Sequence, residues 1–190
     1  MSRTSRRLRH ALVGSAILVA VLSLASPARA NPYPNNYNLA VPGNALHTYC
    51  LTDTFITDPS VADYAMAVLG NTTDMTDMLM IDPPFCSFRQ NDVWFWEEDL
   101  PAGTRGERSC ELDGQAGICQ SSDVRLDFFE LDDGDYDWED RRKTGVHEVG
   151  HSVGLGDGNL GAMITGEIPD TTLQWRTFSA HDISHINAQF

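Results

Sequence analysis

Eleven residues, His147 to Asp157, read HEVGHSVGLGD and constrain the local fold more than any other part of the chain. On a helix, His147 and His151 are four apart and project from one face about one turn apart. Two imidazoles at that spacing can share one zinc ion, and Glu148 stands beside them to handle a proton. Gly154 lets the helix stop and the chain turn sharply. Asp157, six residues after the second histidine, can then swing back as a third ligand. The competing reading is a chance match on a helix face; the glycine and the carboxylate that follow the pair weigh against it.

The first thirty residues have a different composition. Arg3, Arg6, Arg7 and Arg9 form a basic start, Ala11 to Leu24 is an apolar run without a charge, and Ala28-Arg29-Ala30 is a small-x-small cleavage site. The run is short for a membrane span, so a secretory signal peptide over residues 1–30 is expected. Arg6-Arg7 also admits a twin-arginine signal, as the lesser option. These residues carry five of the 13 basic residues and no acid, so their removal leaves 8 basic against 27 acidic residues, a net charge of −19. Such a charge disfavours nucleic acid or an anionic membrane as partner. The remaining 160 residues suffice for one domain with a real core.

All four cysteines, Cys50, Cys86, Cys110 and Cys119, follow the signal segment. An even count in an exported chain reads as two disulfides with three possible pairings. Cys110 and Cys119 flank a short turn-rich loop, which favours 110–119 with 50–86. A cysteine that blocks the metal before activation is the competing idea, and the even count argues against it.

Residues 31–45 are rich in Pro and Asn and are expected to form an extended arm or a trimmed leader, followed by one domain over 46–190. His47 to Phe55 reads as a strand. Asp58-Pro59 reads as a helix start with Asp58 as N-cap, and Val61, Tyr64, Ala65 and Val68 repeat at helical spacing up to Gly70-Asn71. Met75 to Phe85 is ambiguous, its methionines filling core gaps. Val93 to Trp96 and Val124 to Phe129 read as strands, Pro101 to Arg108 as a loop, and Ser179 to Phe190 as a helix opened by a capping box. Strands and helices alternate before the zinc helix arrives, so the class is α+β or α/β.

Glu130 to Asp140, ELDDGDYDWED, is the most acidic patch. It reads either as a solvated loop whose last carboxylates favour the helix N-terminus, with Asp137 as N-cap, or as a calcium site without the EF-hand pattern. His181 and His185 repeat the four-residue spacing, but no third ligand is near, so surface or supporting roles are expected. His47 is given no role.

The zinc stretch resembles the metzincin signature HExxHxxGxxH, except that Asp157 replaces the last histidine. That replacement is similar to what the snapalysin-like small secreted bacterial neutral proteases show. The resemblance covers Val124 to Phe190 and implies a twisted mixed sheet with two long helices, the active-site helix, a Met-turn and a C-terminal helix. Gly161-Ala162-Met163-Ile164 looks like the Met-turn, with Met163 supporting the site without ligating. It departs from the family in the short Asp157–Met163 link and in having no tyrosine after Met163. The resemblance also implies that Thr104 to Gln120 holds the edge strand that pairs with substrate. Trp175, Phe178 and the segment after Met163 are candidates to line the pocket for the residue following the scissile bond.

The expected protein is therefore a secreted, extracellular, monomeric zinc endopeptidase acting on protein or peptide. His147, His151 and Asp157 would bind Zn2+, and Glu148 would be general base and acid. Ca2+ at Glu130 to Asp140 is a further expectation. Two other classes compete: a non-catalytic zinc- or calcium-binding protein that keeps the fold, against which an intact Glu148 counts, and an acidic calcium-loaded structural domain in which the motif is coincidence.

Overall fold

A computed structural model describes residues 42–81, 91–110, 113–115 and 118–190. The expected signal segment and almost all of the expected arm, together with Cys86, lie outside them. The first strand, β1 (Leu46–Leu51), leads to helix α1 (Ser60–Thr72) and strand β2 (Thr76–Leu79). Strand β3 (Val93–Glu97) and strand β4 (Gly106–Cys110) follow, then the short strands β5 (Asp113–Gln115) and β6 (Ile118–Cys119). Strand β7 (Ser122–Leu126) runs into helix α2 (Phe128–Leu131), the long helix α3 (Asp137–Ser152) and finally α4 (Ala180–Gln189).

Five strands form one mixed sheet in the order β2-β1-β3-β7-β4. The first four run parallel, and β4 closes one edge antiparallel to β7, with Arg108 opposite Val124. β5 and β6 make a separate antiparallel pair. A disulfide joins Cys110 to Cys119 across it, as the turn-rich loop suggests. Cys50 is oxidised too, but the 50–86 pairing lies outside the described residues.

Period-two alternation splits β3 between the two faces of the sheet. Val93 and Phe95 point into the core, while Trp94 and Trp96 stack on the opposite side with ring centroids 6.3 Å apart. Helices α1 and α3 pack against each other in the same core, Val61, Ala65 and Leu69 of α1 joining Val146 and Val149 of α3.

Several expected boundaries move, each for a local reason. The first strand ends at Leu51, not Phe55, because the Phe55 N–H turns back to the Thr52 carbonyl. Asp58 does not cap α1: Pro59 already has helical angles, and the Asp58 carboxylate instead accepts from Ser60 Oγ and pairs with Arg141 and Arg142. Residues 106–108, read from their composition as part of a loop, belong to the strand Gly106–Cys110, which pairs with β7 and forms a sheet edge within Thr104 to Gln120. Phe128 and Phe129 leave the strand for α2, because Asp127 caps it, its Oδ1 accepting from the Phe129 and Glu130 N–H groups. Tyr136, not Asp137, occupies the N-cap position of α3, although Asp137, Glu139 and Asp140 still fill its first turn with negative charge. The capping box of α4 forms as read, Ser179 with Asp182.

His47 is buried beneath the last turn of α3. Ser152 Oγ donates to the Val149 carbonyl at 2.7 Å, so it accepts from His47 Nε2–H at 2.9 Å. Burial lowers the His47 pKa from 6.5 to about 4, only partly opposed by Asp92 and aided by Arg108. Between those two values the unfolded chain binds a proton that the folded chain refuses, so stability falls as pH falls through that window. The loss is on the order of 3 kcal/mol and is complete below the folded value. Urea denaturation at several pH values between 7 and 4 should show this slope in the wild type and a flatter one in His47→Gln; parallel curves would clear the buried imidazole of responsibility.

Candidate metal centre

Helix α3 ends one residue after its second candidate ligand. Gly154 takes φ +95°, a left-handed conformation that suits glycine. The Gly154 N–H bonds to the His151 carbonyl and the Leu155 N–H reaches back to Gly150, a Schellman-type close. The chain then reverses, and the Gly158 N–H donates to the Met163 carbonyl at 2.7 Å. That bond closes the short link between Asp157 and Met163 and carries Asp157 over the helix.

His147 Nδ1 lies 2.9 Å from the Ala162 carbonyl, and His151 Nδ1 lies 2.8 Å from the Leu155 carbonyl. A carbonyl only accepts, so both Nδ1 atoms carry the proton and both Nε2 atoms turn lone pairs inward. Those Nε2 atoms are 2.9 Å apart, and Asp157 Oδ1 lies 3.2 Å from one and 3.3 Å from the other. Three acceptors facing one another repel unless positive charge sits among them. Their spacing approaches the roughly 3.3 Å tetrahedral edge around an ion bound at about 2.0–2.1 Å. His147, His151 and Asp157 can therefore hold a metal ion, and among the described residues no other group of three converges this way.

A proton can take the place of that positive charge. Without an ion, a proton on either Nε2 relieves the repulsion by donating to Asp157, and this hydrogen bond from His147 or His151 holds the Asp157 carboxyl well below the usual carboxylate range. Burial works against a charged His151, but the Asp157 hydrogen bond and the Glu148 charge outweigh it and raise its pKa.

The group opens into a cleft of about 450 Å³. One wall is residues 103–108, from the loop into β4; the other is α3 with Thr165 and Gly166. Glu148 lines the cleft beside the ligand pair and is only 4% exposed. Arg105 spans the walls, ion-paired to Asp140 of α3 and to Glu167. Met163 is fully buried under α3, in a 3-10 turn over Gly161–Met163. A methyl group on Gly150 would overlap Met163 Sδ, so the missing side chain is what admits the methionine.

Other expectations fare differently. The segment after Met163 does line the cleft, through Thr165 and Gly166, but Trp175 and Phe178 do not; Phe178 is buried near Gly150 instead. His181 and His185 bring their Nε2 atoms to 3.1 Å but gather no third ligand among the described residues. In the acidic stretch Glu130 to Asp140 no three acidic groups converge among the described residues; Asp132 pairs with Arg141 and Asp140 with Arg105. Sequence reasoning missed Lys143 and Arg105 in the cleft, and missed the two orienting carbonyls. A lysine four residues before His147 was the available signal for the first; backbone acceptors leave none.

No protein-family model matches the chain, and no curated protein matches it. The ligand set is tested directly by metal content. Asp157→Ala should lose the ion, whereas Asp170→Ala should keep one equivalent, because exposed Asp170 bonds only to Thr172 and Trp175. Equal metal content by mass spectrometry in both variants would remove Asp157 from the site.

Proposed function

We propose that this chain is a secreted zinc-dependent endopeptidase of the metzincin type, similar to the snapalysin-like neutral proteases. The observation behind this reading is the convergence of His147 Nε2, His151 Nε2 and Asp157 Oδ1 beside Glu148 in an open cleft. Three protein ligands suit a catalytic zinc, where a closed structural site would use four. When bound, zinc supplies Lewis acidity, lowering the pKa of water towards 7 and polarising a peptide carbonyl.

The chain's own residues do the rest. Glu148 accepts a proton from water and later delivers it to the leaving amine, so one buried carboxylate serves as base and acid in turn. The Ala162 and Leu155 carbonyls keep both imidazoles in the tautomer that faces the ion. Asp157 makes the ligand set one unit more negative than a third histidine would, which tempers the electrophilicity of the centre. Strand β4 is an edge strand along the cleft, and its outer backbone groups suit an extended peptide.

Export fits the Cys110–Cys119 disulfide. Among the described residues no helix is long and apolar enough to cross a membrane. The net charge of −14 makes nucleic acid a poor partner.

The purified protein should hydrolyse casein, 1,10-phenanthroline should stop it, and Glu148→Ala should lower the rate by at least about 100-fold while metal stays bound. Metal without hydrolysis of any protein would favour a binding protein, and absence of metal would sink the peptidase.

A further inference from the structure

We propose that Lys143 is the substrate-recognition residue of the cleft, its ammonium binding a carboxylate of the peptide next to the scissile bond. This rests on the peptidase reading above and deepens it by naming a substrate class: peptides with Asp or Glu flanking the cleaved bond, or with a free terminal carboxylate there.

Lys143 sits one turn before His147 on α3, so its side chain shares the face that carries the two imidazoles. The turn separates them by about 6 Å along the helix axis, within reach of a residue adjoining the bond being cut. The side chain lines the cleft, yet the residue is only 3% exposed. Among the described residues its ammonium has one acceptor, the Gly166 carbonyl at 2.9 Å, and no ion-pair partner. An ammonium has three donors, and a buried one without a paired carboxylate is costly.

The neighbouring cations are committed elsewhere. Arg105 is held by Asp140 and Glu167, and Arg108 donates to Ser122 Oγ at 2.9 and 3.0 Å. With 27 acidic residues in the chain, pairing one more lysine would be easy. Lys143 is kept without one at the candidate site. Desolvation lowers its pKa to about 8, opposed by the more distant charges of Asp140 and Glu148, so it remains largely cationic at neutral pH. A substrate carboxylate would supply both the missing charge and the missing acceptor.

The full-length protein, loaded with zinc, can be assayed on matched fluorogenic peptides. They would carry Asp or Glu, Asn or Gln, or Phe at each position flanking the scissile bond, with free or amidated C-termini. Wild type should favour carboxylate over amide peptides by about tenfold in kcat/KM, the worth of one charge-assisted hydrogen bond. Lys143→Arg should keep much of that preference, and Lys143→Met should erase it, bringing the ratio of carboxylate to amide peptides to about one. A preference that follows the side chain marks an acidic-residue subsite; one that follows the free terminus marks chain-end recognition. Equal rates for carboxylate and amide peptides in the wild type would overturn the proposal. So would a uniform loss on every peptide in Lys143→Met, the mark of a lysine that merely holds Gly166. Affinity of zinc-loaded Glu148→Ala for the same peptides separates the two readings. Carboxylate-selective binding without wild-type hydrolysis sinks the peptidase alone, and hydrolysis without selectivity sinks the lysine alone.

Discussion

Helix α3 is polar along most of its length and nevertheless buried, and the surrounding elements are placed so as to satisfy it. Asp140, Arg142, Lys143, His147, Glu148 and Ser152 are all within the body of the protein. Each buried polar group must find a partner or carry a penalty of a few kcal/mol. Arg105 and the Ile168 N–H serve Asp140; Ser60 and the Trp138 ring serve Arg142. Gly166, Ala162 and Leu155 offer carbonyls to Lys143, His147 and His151, and His47 reaches Ser152 from β1. Moving any of these elements would strand a charge or a donor on the helix. Only the opposite stripe, with Val146 and Val149, is held by ordinary apolar packing.

That arrangement gives the turn after Gly154 and the turn at Met163 a shared role. One hands a carbonyl to His151, the other hands a carbonyl to His147, and the Gly158–Met163 bond ties the two together. The imidazoles are thus oriented by backbone, which costs no charge and cannot be removed by a side-chain substitution. The same closed link carries Asp157 inward. Three acceptors then meet without a compensating donor, an arrangement that a folded chain tolerates where a cation belongs.

Much of this could be read from the residues, and what could not has a physical cause. The ligand spacing, the glycine stop, the capping box of α4 and the Cys110–Cys119 loop are local patterns, and local patterns survive into the fold. The strand at 106–110 is not legible in its own residues, because Gly-Glu-Arg-Ser-Cys has no apolar alternation; only the family resemblance pointed to an edge strand within Thr104 to Gln120. The end of that strand was misplaced because Asp127 captures two backbone N–H groups and overrides the strand preference of Phe128 and Phe129. The stretch Glu130 to Asp140 admitted a calcium site in sequence, whereas in the fold Asp132 pairs with Arg141 of the next helix and Asp140 with Arg105, distant in the chain. Lys143 was visible as a residue yet silent as a site, because its burial and the Gly166 contact depend on a loop that returns after the Met163 turn.

The three candidate ligands are unequally shielded. The His147 and His151 side chains are 9% and 15% exposed, whereas that of Asp157 is 59% exposed. The imidazole pair belongs to a helix locked into the core, so it persists as long as the fold does. Asp157 can swing outward by rotating its own side chain, leaving the rest in place. Metal exchange in such a centre would be governed by one surface carboxylate acting as the outer door. Chelators would then reach the ion from the Asp157 side without the helix having to unfold.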